Sequence, residues 1–244
     1  MNPTTLSPLS SAHGNGAATD PQAAISATIT ENPALQSRDK IVQESFAKRG
    51  DKYVNASDFA DHVDRYGFYM LNPEALEALK AVTAPVGHRV VSVCTGLGYS
   101  EAQMVAAGMS VIGFDKNVPA NRWLLDTHDS SQGLPLAHFS DRALLISFPD
   151  PTKRAHEDEP SFPVQVIQDF VNAGGSLVIV ITEARPTQHA IRCDQELVEL
   201  LAKDGRCIAE VALPKWPTVS TFLGYGHTYH TFEPVLKAYR LGAE

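Results

Sequence analysis

From Arg89 onward the chain alternates between unbroken apolar runs and stretches with apolar residues three or four positions apart. The runs are RVVSVC (89–94), VIGFD (111–115), ALLISF (143–148) and SLVIVITEA (176–184), each short enough for one buried strand. The spaced stretches FPVQVIQDFVNAG (162–174) and CDQELVELLAKDG (193–205) read as amphipathic helices closed by glycine. CIAEVALPKW (207–216) and the region around HTYHTFEPVLKAYRL (227–241) supply the last strands. Apolar strands alternating with helices predict an α/β fold whose mostly parallel sheet is covered on both faces.

Ahead of this alternation the pattern is helical. Ile41, Val42, Ser45 and Phe46 share one face before Gly50, so order is expected from about Asp39. Ser57 is placed to cap a second helix ending at Tyr66 and Gly67. Asn72 caps a third, PEALEALKAV, with Pro73 at its first position. Residues 38–85 therefore form an N-terminal helical cap and 86–244 the sheet domain. Residues 1–37 contain no Lys, Arg or aromatic residue. Such a segment cannot bury enough apolar surface to offset its ordering entropy, which predicts a disordered tail dispensable for folding. Ser/Thr-rich, charge-poor N-termini also resemble those of type III secreted effectors.

Composition narrows the function. Hydrophobic residues make up 43% and charged residues 20%, an ordinary globular balance for one sizeable core. No apolar run is long enough to span a bilayer, so no membrane role is expected. The formal net charge of -8 argues against a dedicated nucleic-acid binder. Cys94, Cys193 and Cys207 form no CxxC pair and no zinc spacing, as expected of free thiols in a reducing cytoplasm; no metal is expected.

Candidate chemistry concentrates after the first strand. Gly96 and Gly98 leave the strand-to-helix turn without side chains, so a ligand can approach the backbone at a helix N-terminus. Asp115 ends the second strand, 19 residues after Gly96, where a carboxylate can accept from both hydroxyls of a ribose. The plain alternative is a tight turn with a solvated aspartate. A nicotinamide fingerprint needs a small residue where Glu101 stands, and a phosphate-binding loop would need Gly-Lys-Ser/Thr, which is absent.

The stretch resembles motif I of class I S-adenosylmethionine-dependent methyltransferases, an apolar strand followed by Asp/Glu-x-Gly-x-Gly-x-Gly. Ser92 stands at the acidic position and Cys94 at the first glycine, while Gly96, Gly98 and Asp115 match. Gly98-Tyr99-x-Glu101, VIGFDKN, LLISFPDP and LPKWP extend the likeness over roughly residues 66–240. The resemblance implies a Rossmann-like, doubly wound, mostly parallel seven-stranded sheet with N-terminal helices. It implies S-adenosylmethionine as cofactor, contacted by Cys94, Thr95, Gly96, Gly98, Tyr99, Asp115, Lys116 and Phe148. It also implies that the loop after ALLISF faces the transferred methyl, making Asp150 the candidate catalytic residue.

That loop, Phe148-Pro149-Asp150-Pro151, is similar to the FPDPW loop of tRNA guanine-N7 methyltransferases, with Lys153, Arg154 and His156 as its basic followers. The tryptophan is missing and EDEP (157–160) turns the loop acidic, which argues against tRNA. Pro-Asp-Pro is also ordinary turn chemistry. Glu183, at the end of SLVIVITEA, belongs to the same sheet edge. Tyr66 or Phe68 is placed to close over the site. His227 and His230 flank Tyr229 without a third metal ligand. The resemblance thus implies a cytoplasmic methyltransferase acting on a small molecule or a protein. The alternative is an inactive binding protein of the same fold, which the substitutions at Ser92 and Cys94 favour, and which a secreted effector would fit.

Overall fold

The computed structural model describes residues 25, 29, 31–49, 56–67, 69–147, 160–183, 195–215 and 233–242. The helices α1 (Pro33–Arg49) and α2 (Ala56–Tyr66) precede α3 (Pro73–Thr83). The alternating part runs β1 (Arg89–Val93), α4 (Tyr99–Ala106), β2 (Ser110–Asp115), β3 (Thr127–Asp129), β4 (Ala143–Ser147), α5 (Phe162–Asn172), β5 (Leu177–Glu183), α6 (Gln195–Asp204), β6 (Gly205–Ala212) and β7 (Pro234–Leu241).

The strands form one seven-stranded sheet in the order β3-β2-β1-β4-β5-β7-β6. β1 pairs in parallel with β2 (Val91 opposite Ile112) and with β4 (Val91 opposite Leu144). β4 and β5 are also parallel, whereas β7 runs antiparallel between β5 and β6. The fold is therefore the Rossmann-like, mostly parallel seven-stranded α/β sheet expected from the sequence. The chain moves outward from β1 to β3 and returns on the other side of β1 as β4. The point between β1 and β4 is the topological switch, where ligands bind beyond the carboxyl ends of the strands.

Side-chain alternation along the strands feeds two cores. Val90, Leu145, Ile179, Ile181 and Leu236 pack on one face with Ala75 and Leu79 of α3 and Met104 of α4. Val91, Val93, Leu144, Ile146, Val178 and Val180 pack on the other with Ile167 and Phe170 of α5 and Leu197 and Leu201 of α6. Because both faces are covered, the central strands read as continuous apolar runs.

Four places differ from the sequence reading, one being the sixth strand, which runs Gly205–Ala212 rather than over 207–216. The α1 helix starts at Pro33 rather than near Asp39, because proline is well suited to a first helical turn. The α2 helix already includes Ala56, so Ser57 lies inside its first turn rather than capping it. β3 has no counterpart in the apolar pattern. It has three residues, Thr-His-Asp, and two of them are exposed at the sheet edge. The Asn72 cap does form: its side chain accepts from Ala75 N–H at 2.9 Å. Among the described residues no helix is long and apolar enough to cross a membrane.

A third apolar cluster joins the N-terminal segment to α4. Ile29, Ala34, Ile41, Val63, Tyr66 and Met70 are buried with Tyr99 and Ala102. Tyr99 meets Tyr66 and Trp123 edge-on at ring separations of 5.2 and 5.1 Å.

Candidate functional site

The turn after β1 is held by backbone geometry and by β2. Cys94, Gly96 and Gly98 all adopt left-handed φ, at 63°, 55° and 69°. Thr95 anchors the turn from below: its Oγ1 accepts from Phe114 N–H at 3.1 Å and lies 3.2 Å from Phe114 O. Gly98 is the N-cap of α4. A Cβ there would sit 2.7 Å from Leu124 Cβ, so this glycine is filled by the protein itself. Gly96 is the opposite case: a Cβ there would meet nothing within 4 Å. The turn therefore has a packed side at Gly98 and an open side at Gly96.

Asp115 closes the turn. One of its carboxylate oxygens accepts from Gly96 N–H at 2.8 Å and the other from Asn117 N–H at 2.9 Å. A carboxylate offers about four acceptor positions, so each oxygen can still receive a hydroxyl. Lys116 is exposed, with its Nζ over the Phe162 ring at 5.8 Å. Tyr99 is turned away from the open side. Buried in the N-terminal cluster, its hydroxyl accepts from Ala34 N–H at 3.4 Å and lies 3.3 Å from Asn32 Oδ1. Tyr66 is likewise buried, stacked on Trp123 at 5.9 Å. The fold thus brings Cys94, Thr95, Gly96, Gly98, Asp115 and Lys116 to one edge, with Tyr99 supporting from behind. Phe148, Asp150, Lys153, Arg154, His156, Phe68, His227, Tyr229 and His230 lie outside the described residues. Glu183 ends β5, paired in register with Pro234.

Sequence reasoning missed a polar cluster beneath the turn. Ser92 Oγ donates to Glu101 Oε1 at 2.8 Å. The Tyr69 hydroxyl lies 3.3 Å from the same oxygen and hydrogen-bonds Ser147 Oγ, the last residue of β4. Tyr69 is placed by backbone pairing. Gln103 receives Leu71 N–H at 2.9 Å and donates to Leu71 O at 3.0 Å, while Ser100 Oγ donates to Tyr69 O at 3.2 Å. Glu101 is 1% exposed. Burial pushes its carboxyl up to about 7, the Asp115 charge adds to that, and the bonds from Ser92, its own N–H and Tyr69 oppose it. Burial likewise holds the Tyr69 phenol protonated. The available signal was a pair: one hydroxyl inside an apolar strand and one carboxylate in the first turn of the helix that follows.

Among the described residues no group of His, Cys, Asp and Glu could hold a metal ion. No protein-family model matches the chain, and no curated protein matches it. Solved structures with a similar arrangement include magnesium protoporphyrin IX methyltransferase from Synechocystis with bound S-adenosylmethionine. That match has 12% identity and a TM-score of 0.42, over 92% of this chain and 99% of that one. Another is the 1,6-didemethyltoxoflavin-N1-methyltransferase of Burkholderia thailandensis, with bound S-adenosylhomocysteine. It has 15% identity and a TM-score of 0.40, over 88% and 90% of the two chains. Likeness at this level says nothing of what this chain binds; its own glycine turn and its own carboxylates carry the functional reading.

Proposed function

We propose that the chain is an S-adenosylmethionine-dependent methyltransferase acting on a small-molecule or protein acceptor. The observation that carries this reading is the locked, one-sided turn. Asp115 is tied to Gly96 N–H at 2.8 Å, and the space beside Gly96 is open at the switch between β1 and β4. That space is the cradle a nucleoside needs, and the spare acceptor positions of Asp115 suit a ribose diol.

When bound, S-adenosylmethionine supplies a methyl made electrophilic by its sulfonium. The residues of this chain position it. In this reading the backbone of Cys94 to Gly98 lines one side of the nucleoside and Asp115 holds the ribose. Thr95, Gly98 and Tyr99 keep the turn in shape through Phe114, Leu124 and the N-terminal segment. Lys116 borders the site, and Phe148 is the further contact that the resemblance implies. Asp150, three residues beyond β4, remains the acceptor-side candidate and would orient or deprotonate the acceptor.

Isothermal titration tests the reading. Wild type is expected to bind S-adenosylmethionine, and Asp115→Ala to lose about 1.5–3 kcal/mol of binding energy. Asp115→Asn keeps one acceptor for Gly96 N–H and separates loss of turn geometry from loss of the ribose contact. Failure of wild type to bind removes the cofactor from the proposal. Asp150→Asn should bind the cofactor as wild type does; a large loss of affinity would take Asp150 off the acceptor side.

A further inference from the structure

The four-group cluster under the turn has no role in holding a nucleoside, yet it surrounds a carboxyl group that is almost wholly buried. Glu101 receives Ser92 Oγ–H at 2.8 Å and faces the Tyr69 hydroxyl at 3.3 Å. A neutral amide would accept the same bonds. Gln103, two residues along the same helix, does that work for Leu71. What a carboxyl adds is a proton that can leave.

The surroundings decide when it leaves. The groups facing Glu101 are Tyr69 from the segment between α2 and α3, Ser92 from β1, and Asp115 from β2. Ser147 of β4 and Ser100 of α4 face Tyr69 in turn. The only other charge in this set is negative. Among the described residues the ion pairs join other partners, such as Arg89 with Asp141 and Lys237 with Glu210. Two carboxyl groups thus share the end of β1 and β2 with no ion pair to either among those residues. Burial and the Asp115 charge favour the neutral acid at Glu101. A cation on the open side of Gly96, next to Asp115, would cancel the Asp115 charge and favour the carboxylate at Glu101.

We infer that Glu101 is the internal counter-charge of the glycine-turn site: it is partly protonated at neutral pH while the turn is empty and gives up the remaining proton when an organic cation docks at Gly96 and Asp115. This rests on the cofactor reading, since S-adenosylmethionine carries a sulfonium and an ammonium. No ligand bond forms or breaks. The acid and the cation become a carboxylate–cation pair, and one proton passes to solvent. The Tyr69 hydroxyl, bridging Glu101 to Ser147 at the end of β4, stays beside the carboxyl in either protonation state. Glu101 acts here as a positioning residue that selects the charge of the ligand.

The test is titration of the full chain with S-adenosylmethionine at pH 7 in two buffers of different ionisation enthalpy. Wild type is expected to release about half a proton per ligand bound, with affinity rising between pH 6 and 8. Glu101→Gln, which keeps the acceptor for Ser92, is expected to bind without proton release and with a flat pH dependence. Binding by wild type without proton release, or equal release by Glu101→Gln, overturns the inference and leaves the cofactor reading standing. Carbon NMR of labelled glutamate carboxyls in the ligand-free protein supplies a second readout. A resonance missing from Glu101→Gln that titrates in the ordinary carboxylate range overturns the inference by itself. No binding of S-adenosylmethionine at all overturns the cofactor reading and the inference with it.

Discussion

Gly96 and Gly98 share a left-handed backbone and differ in everything around it. At Gly98 a methyl group would strike Leu124 and lie 3.2 Å from Thr95 Cγ2. Gly98→Ala is therefore expected to cost about 2–4 kcal/mol of stability in denaturant unfolding, strain and overpacking together. At Gly96 the methyl enters open space, so Gly96→Ala should cost only the left-handed term, about 1–2 kcal/mol. Its larger effect should fall on ligand affinity, since the added group occupies the cradle. Equal losses of stability in the two variants would remove the distinction between a packed and an open side. Cys94 supplies the converse case. It holds φ 63° with a side chain, at the position where the resembling motif has glycine. Cys94→Gly is expected to stabilise the fold by up to about 1 kcal/mol in the same measurement.

At the level of elements, the N-terminal segment is a structural neighbour of the turn. Ile29 and Ala34 are buried, and Ala34 N–H reaches the Tyr99 hydroxyl at 3.4 Å, one residue past Gly98. A chain beginning at Arg38 loses these contacts and is expected to unfold at least about 2 kcal/mol more readily, from the buried isoleucine alone. Tyr99→Phe should cost about 0.5–1.5 kcal/mol by removing the hydroxyl that meets Asn32 and Ala34. An unchanged unfolding midpoint in the shortened chain would show that the docking is passive. Composition carries no sign of these contacts, because Ile25, Ile29 and Ala34 pack on a surface that Tyr66, Tyr99 and Trp123 supply from elsewhere in the chain. The central strands were legible because burial on both faces leaves an unbroken apolar run, as in Val90–Val93 and Leu177–Ile181. β3 was not, since a three-residue edge strand has no periodicity to read. The glycine turn and Asp115 were legible as a motif. The Ser92–Glu101–Tyr69 cluster was not, because its members come from a strand, a helix and an irregular segment that only tertiary packing brings together.

Across the whole molecule two buried groups pull the pH dependence of stability in opposite directions. Glu101 has its proton affinity raised from 4.5 to about 7, so the folded state binds more protons than the unfolded one between those values. Its contribution is complete below about pH 4.5 and is lost as pH rises towards 7. His62 is lowered to about 4 by burial, with Arg38 adding to the effect. Its contribution is complete above about pH 6.5 and is lost as pH falls towards 4. The two windows overlap, so wild type should show a shallow profile from these groups. Glu101→Gln should uncover the acid-side loss caused by His62. It should also gain on the order of 2–3 kcal/mol over wild type at pH 8, shrinking towards pH 4; a gain that does not vary with pH would refute the assignment. The strand order has a consequence of another kind. Of the two margins of the sheet, β3 is only three residues long, and β6 is interrupted by a register shift between Cys207 and Ala209. β6 also sets Arg206 and Glu210 along its length, Glu210 tied to Lys237 at 3.2 Å. Neither margin offers the long, flat, uncharged row of amides on which a second chain could add a strand. Among the described residues, growth by strand addition is thereby disfavoured at both margins.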